Sequence, residues 1–237
     1  MRTLVHLSDL HFGRINSAIL EPLLEFVRSA NPTLVAVSGD LTQRARRAEY
    51  IAAREFLARI PFPQIVVPGN HDVPLRNLFK RFARSLDRYR RYITGDLQPF
   101  YSDAEIAVAG LNTARALTWK DGRINRHQLE KLRGSLASMG NERVKVLVTH
   151  HPFDLPAGAE GQVVGRSRLA IQTLAECHVD ILLAGHFHVA DIGHTAKRYN
   201  IPGYSALVVS SGTSTSTRGR GQPNSLNVIK IDRPQVA

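Results

Sequence analysis

The sequence predicts an α/β fold built on parallel strands. Three observations predict it: short aliphatic and β-branched runs alternate with amphipathic helical stretches, the chain opens in the order β-α-β-α-β, and polar residues with metal-binding or acid–base chemistry stand just past the apolar runs. Residues 4–8 (Leu-Val-His-Leu-Ser) read as the first buried strand, and 17–28 as a helix with Leu20, Leu23, Leu24 and Val27 at helical spacing. Residues 34–38 form the second strand, 46–58 the second helix and 65–67 the third strand, closed by Pro68-Gly69. That order implies right-handed crossovers between parallel strands.

Further along, 77–92 reads as a helix with Leu78, Phe82, Leu86 and Tyr89 on one stripe and an arginine-rich face opposite. Strands follow at 106–111 and 144–148. Between them, Asn125-Arg126-His127-Gln128 is a capping start for a helix ending near Leu136. A helix over 168–176, a strand over 181–184 and two last strands over 206–210 and 226–231 complete the chain. A loop rich in Ser, Thr, Gly and Arg, 211–224, separates those last strands. No internal repeat or linker breaks the pattern, so 1–237 is expected to form a single domain.

Composition narrows the class. With 43% hydrophobic residues the chain can bury a full core, and no apolar run approaches a membrane span. Its start lacks a secretory signal pattern, and Cys177 is the lone cysteine, so the expectation is a cytoplasmic protein without an intrachain disulfide. A formal charge of +11 suits anionic substrates, nucleic acid or an anionic membrane face, or simply solvated arginines.

The candidate functional residues share one position in the pattern. Asp9 and His11 follow the first strand, Asp40 the second, and Asn70, His71 and Asp72 the third. His150 follows 144–148, and His186 and His188 follow 181–184. Parallel sheets place ligand sites beyond the carboxyl ends of their strands, so residues scattered along the chain can share one crevice. Carboxylate and amide oxygens with neutral imidazoles suit Mn²⁺, Fe or Zn²⁺. Asp40 is the natural carboxylate to bridge two ions, and Gly39, Gly69 and Gly185 permit tight turns beside the ligands. Singly each motif is an ordinary loop feature; five in order are hard to reach by chance.

As a set these motifs, Asp9-x-His11, Gly39-Asp40, Gly69-Asn70-His71-Asp72, His150 before Pro152, and Gly185-His186-x-His188, resemble the calcineurin-like metallophosphoesterase superfamily. The resemblance spans most of the chain and implies a four-layer α-β-β-α sandwich of two stacked mixed β-sheets flanked by helices. It implies two divalent metal ions. Asp9, His11, Asp40 and His188 would hold one; Asp40, Asn70, His150 and His186 the other. A metal-bridging hydroxide would then attack phosphorus in line. His71, as imidazolium, would stabilise the developing charge or protonate the leaving oxygen, with Asp72 orienting it through a hydrogen bond; His151 would be a neighbour without a ligand role.

Within the superfamily the chain resembles the bacterial 3′,5′-cyclic nucleotide phosphodiesterase branch. The close Asp9–Asp40–Asn70 spacing, Gly122-Arg123-Ile124, Gln128 and the Ser211-Gly212-Thr213 loop carry that likeness, while Leu111-Asn112-Thr113 stands where the branch often has Leu-Asp-Ser. The function expected is hydrolysis of a cyclic nucleotide or similar small diester. A nuclease ranks below it because no separate nucleic-acid module is evident. A lipid-linked phosphoesterase ranks lower too, since the lipid A pyrophosphatase relatives carry arginine where this chain has His71. A non-catalytic metal-binding regulatory protein is the reading from outside enzymology. Several residues could shape the pocket: Arg218 and Arg220 against phosphate, Trp119 and Phe153 against a base, His194, and the arginine-rich helix with Lys80, Arg81, Arg84, Arg88, Arg90 and Arg91. His194 reads first as an ordinary polar loop residue and the helix as a solvated arginine face; Arg218 and Arg220 read equally as a solvated turn, and Trp119 and Phe153 equally as packing.

Overall fold

Side-chain alternation along the strands divides the apolar residues among three cores. In β1 (Arg2–Leu7), Leu4 points one way and Val5 and Leu7 the other; β2 (Leu34–Ser38) splits Leu34 and Ala36 from Val35 and Val37; β3 (Gln64–Val67) splits Ile65 and Val67 from Val66. A second set repeats the split. Val108 of β5 (Ile106–Gly110), Val146 and Val148 of β6 (Val144–Val148), Leu183 of β7 (Ile181–Ala184) and Val209 of β9 (Leu207–Ser210) join the core that contains Leu4 and Ala36. That shared core lies between two face-to-face sheets.

The computed structural model describes residues 1–74, 85–115, 121–140, 142–218 and 221–232. One sheet has the order β10-β1-β2-β3 and the other β4-β5-β6-β7-β9-β8, where β4 is Phe100–Ser102, β8 Asp191–His194 and β10 Asn227–Ile231. β1, β2 and β3 run parallel, as do β5, β6, β7 and β9; β10, β4 and β8 are antiparallel edges. Helices α1 (Leu20–Ala30), α2 (Arg47–Ala58) and α3 (Asp87–Tyr92) cover the outer face of the first sheet through Leu24, Val27, Tyr50, Phe56 and Tyr89. Helices α4 (Arg126–Ala137) and α5 (Ser167–Glu176) cover the second through Leu129, Leu132, Leu136, Ile171 and Leu174. Burying each such leucine contributes roughly 1.5–3 kcal/mol. The architecture is the four-layer sandwich that the resemblance implies.

Local departures have physical causes. The first helix begins at Leu20; a 3-10 turn, Ser17–Ile19, precedes it because Asn16 caps Ala18 N at 3.2 Å. The Asn125–Gln128 capping box forms as read, with reciprocal bonds of 2.8 and 3.0 Å. Strands β4 and β8 escape the sequence reading because they are three- and four-residue edge strands without a continuous apolar run. His194, a loop candidate, therefore ends β8, exposed and paired with Leu207. Phe153, a stacking candidate, is buried against α5 and adjoining strands. Lys80, Arg81, Arg84, Trp119 and Arg220, with the first half of the 77–92 stretch (77–84), lie outside the described residues. Of its remaining arginines, Arg88 donates to Ala45 O at 2.7 Å while Arg90 and Arg91 are exposed. Among the described residues, no helix is long and apolar enough to cross a membrane.

Where the first sheet meets the second, His6 is fully buried. Asn227 Nδ2 lies 3.3 Å from its Nδ1 and can only donate, so Nδ1 accepts and Nε2 carries the proton toward Ser38 Oγ at 2.8 Å. Burial holds the imidazole pKa down to about 3 despite the charge of Asp9. The unfolded chain, with an ordinary histidine near 6.5, therefore binds the extra proton between about pH 3 and 6.5. Stability from this group is complete above that window and lost as pH falls through it, by at most about 1.4 kcal/mol per pH unit. His6→Gln keeps a donor toward Ser38 without the titration. Denaturant midpoints measured from pH 7 to 4 should fall less steeply for the variant; parallel slopes would contradict this role of His6.

Candidate metal centre

Beyond the carboxyl ends of β1, β2, β3, β6 and β7 the chain turns sharply, and each turn aims one or two polar side chains at a common point. The turns are strained. Asp9, His11, Asp40, His186 and His188 all have left-handed backbones, with φ of 52°, 49°, 51°, 78° and 59°. Two glycines matter here for close approach. A Cβ on Gly69 would sit 2.1 Å from Asp40 Oδ1, and one on Gly185 1.9 Å from Ser8 Oγ and 2.4 Å from Asp9 Oδ2. Gly39 has a left-handed backbone, with φ of 86°.

Each carboxylate has one oxygen fastened and one presented. Asp9 Oδ2 accepts from Ser8 Oγ at 2.6 Å and His186 N at 3.0 Å, whereas Oδ1 is buried and receives no hydrogen bond. Asp40 Oδ1 accepts from His71 N at 2.8 Å, leaving Oδ2 to face His11 Nε2 at 3.7 Å and His150 Nε2 at 3.4 Å. One oxygen, not two, thus faces both groups.

Around Asp9 Oδ1, His188 Nε2 stands at 3.1 Å and His11 Nε2 at 3.5 Å, with the two imidazole nitrogens 3.1 Å apart. On the other side, Asn70 Oδ1 lies 3.0 Å from His150 Nε2 and 3.1 Å from His186 Nδ1. These spacings resemble the edges of a coordination shell, about 3.0–3.4 Å for bonds of about 2.1 Å. All seven sequence-predicted ligand candidates are brought together, in two groups that meet at Asp40. Backbone carbonyls set the imidazoles: His150 Nδ1 donates to Ser38 O at 2.8 Å and His188 Nδ1 to Arg218 O at 3.1 Å, leaving their Nε2 atoms to face the cluster.

The electrostatics ask for cations. Asp9 and Asp40 are buried, and among the described residues neither pairs with a lysine or arginine. Burial would raise the Asp9 carboxyl, but His188 and the other imidazoles hold it well below the usual range; Asp40 is depressed likewise, chiefly by His150. Burial would lower His150, yet Asp40 lifts it to about 9: the proton there stands where a metal ion would. Burial, assisted by His150, pushes His186 down to about 3. Buried carboxylates without a side-chain cation, an orphaned oxygen and imidazoles fixed as lone-pair donors form a donor set that fits divalent metal ions.

Three findings depart from the sequence reading. Asp72 does not hydrogen-bond the His71 ring. Its oxygens accept from Gly69 N, Leu41 N, Thr42 N and Thr42 Oγ1 at 2.9–3.1 Å, so it fastens the Asp40 turn to the Asn70 turn. Burial and the nearby Asp40 charge push its carboxyl up to about 6 against those donors. His71 donates from Nδ1 to Gln43 O at 2.8 Å and faces Arg218 Nη1 with Nε2 at 3.1 Å. A guanidinium only donates, so in this arrangement His71 accepts at Nε2, where the resemblance implies a donor.

The third departure is the Ser/Thr loop, which is largely buried beneath the centre. Thr213 Oγ1 donates to Asp9 O at 2.7 Å, Thr215 Oγ1 to Leu10 O at 2.5 Å, and Ser214 N to Ser8 O at 2.9 Å. The loop supplies hydrogen bonds that the strained Asp9–His11 turn does not find in a sheet. Its signal was present: seven hydroxyl residues among 210–217, directly after a parallel strand.

Comparison with known proteins agrees with this geometry. Residues 2–190 match the family of calcineurin-like phosphoesterases. The uncharacterized metallophosphoesterase YkoQ of Bacillus subtilis strain 168 is 30% identical over 210 residues, 86% of this chain and 67% of that protein. The 3′,5′-cyclic adenosine monophosphate phosphodiesterase CpdA of Escherichia coli strain K12 is 31% identical over 160 residues, 65% of this chain and 54% of CpdA. The chain thus spans about half to two thirds of the length of these relatives. A dimetal phosphatase from Danio rerio shares the fold, with a TM-score of 0.63 at 15% identity over 90% of this chain and 87% of that one. With the family match extending over most of the described strands and across all five motifs, this chain belongs to the calcineurin-like phosphoesterase family.

Proposed function

We propose that the chain is a dinuclear-metal phosphodiesterase acting on a cyclic nucleotide or a similar small diester. The observation that carries this reading is Asp40 Oδ2, one oxygen facing the Asp9–His11–His188 group and the Asn70–His150–His186 group together. The likeness to CpdA supports a diester substrate. We take 1–237 as one such domain, because β10 pairs with β1 and builds the segment beyond residue 190 into the first sheet. Cys177, a buried free thiol, suits a reducing cytoplasm.

In this reading Asp9, His11, Asp40 and His188 hold one cation and Asp40, Asn70, His150 and His186 the other, drawn from Mn²⁺, Fe or Zn²⁺. The bound pair would neutralise phosphate charge and activate water near neutral pH. This chain's residues do the rest. Asp72 and the Ser/Thr loop keep the turns in register, so the ligand atoms need little rearrangement when loaded. His71 is held through Nδ1 with Nε2 at the cleft; there Nε2 accepts from Arg218, so His71 would serve the leaving oxygen only after taking up a proton at Nε2.

A nuclease reading is less well supported. Asp121 and Glu160 line the cleft, of about 280 Å³, that opens over Asp40, Asn70 and His71, and their charge repels a polyanion. The cleft's size suits a small ligand.

The first test is hydrolysis of a generic aryl phosphodiester with added Mn²⁺. Turnover should depend on metal and be lost in Asn70→Ala; a wild-type protein loaded with two metals yet inert on aryl and cyclic diesters would favour the regulatory alternative. His71→Ala should keep its metal content by elemental analysis and lose turnover by about 10²–10⁴-fold on a poor leaving group. Undiminished turnover there would remove His71 from the mechanism.

A further inference from the structure

Arg218 touches the centre in two independent ways. Its backbone oxygen accepts from His188 Nδ1 at 3.1 Å and so sets the imidazole whose Nε2 faces Asp9 Oδ1. Its side chain crosses the cleft, where Nη1 meets His71 Nε2 at 3.1 Å. Among the described residues lining that cleft, Arg218 is the only lysine or arginine, opposite the carboxylates of Asp121 and Glu160.

From this placement we infer that Arg218 is the anion clamp of the cleft: its guanidinium binds a non-bridging oxygen of the substrate phosphate beside the metal centre. The inference rests on the phosphodiesterase reading for its substrate but on the cleft alone for its binding chemistry. The physical case has three parts. A guanidinium carries five N–H donors in a planar fork, so the single bond to His71 leaves donors free for a phosphate oxygen. The group is half-buried, where a charge-assisted hydrogen bond is screened less than in bulk water. The loop that carries it is pinned at Thr213 and Thr215 to the backbone of Asp9 and Leu10, and Arg218 N itself donates to Ser216 Oγ at 3.1 Å. The clamp is therefore registered to the same turn that presents Asp9.

The two contacts are separable by mutation, since the carbonyl survives any side-chain change. Orthophosphate is the probe, titrated calorimetrically into manganese-loaded wild type, Arg218→Ala, Arg218→Lys and, as a charge-matched control, Arg133→Ala, which removes an exposed ion pair between Arg133 on α4 and Glu176 on α5. Arg218→Ala should weaken phosphate binding by at least about tenfold while keeping wild-type manganese content. Arg218→Lys should fall between the two, because a point charge replaces the fork. Arg133→Ala should match wild type. Equal phosphate affinity in wild type and Arg218→Ala, equal loss in Arg133→Ala, loss of manganese from Arg218→Ala, or a wild type that binds no phosphate would each overturn the clamp. Turnover is not the readout: a protein that binds phosphate through Arg218 but cleaves no diester keeps the clamp and loses the phosphodiesterase reading.

Discussion

Two carboxylates, Asp9 and Asp40, are buried at the edge where two sheets meet, and no lysine or arginine among the described residues pairs with either. Leaving such charges uncompensated in a protein interior is costly enough that structures avoid it. The arrangement around them follows from that demand. Each has one oxygen tied by local donors, which fixes the direction of the other. Three imidazoles, those of His11, His150 and His188, turn Nε2 toward the free oxygens, and carbonyls behind His150 and His188 fix which nitrogen is presented. In the proposed reading cations would supply the charge that a protonated imidazole such as His150 supplies here, so metal binding and local order would be coupled.

Holding that geometry requires backbone the chain resists. Five of the seven candidate ligands occupy left-handed conformations, and none is glycine. The strain is tolerated because the surroundings over-determine it: β1, β2, β3, β6 and β7 end in register, Gly69 and Gly185 let neighbouring turns approach to distances a side chain would block, and Asp72 staples two of the turns with four hydrogen bonds. The hydroxyl loop after β9 completes the enclosure from the far end of the chain. Rigidity here serves chemistry that depends on positioning.

The fold was legible in the sequence where its physics is local and periodic. Predominantly apolar runs such as Leu34–Ser38 and Val144–Val148 mark strands buried on both faces, and each polar residue just past such a run falls at the shared edge because parallel strands all end there. That rule sufficed to assemble Asp9, Asp40, Asn70, His150 and His186 without any contact information. Edge strands β4 and β8 were hidden, since three or four half-exposed residues carry no period. Hydrogen-bond partners were hidden too. Asp72 bonds mainly to backbone N–H groups, which every residue possesses, so no pattern distinguishes that role from a bond to His71. The part played by Arg218 was hidden as well, because a carbonyl contact to His188 leaves no trace in residue type. The Ser/Thr loop read as a connection between the last two strands; only its position after a parallel strand pointed inward.

The central claim is that Asp40 shares one oxygen between two cations. Electron paramagnetic resonance of the manganese-loaded protein tests it most directly, because two Mn²⁺ ions bridged through one ligand are magnetically coupled and distant ones are not. The account predicts a coupled spectrum at two manganese per chain that gives way to isolated-ion signals in Asp40→Asn. Isolated-ion signals from fully loaded wild type would contradict it.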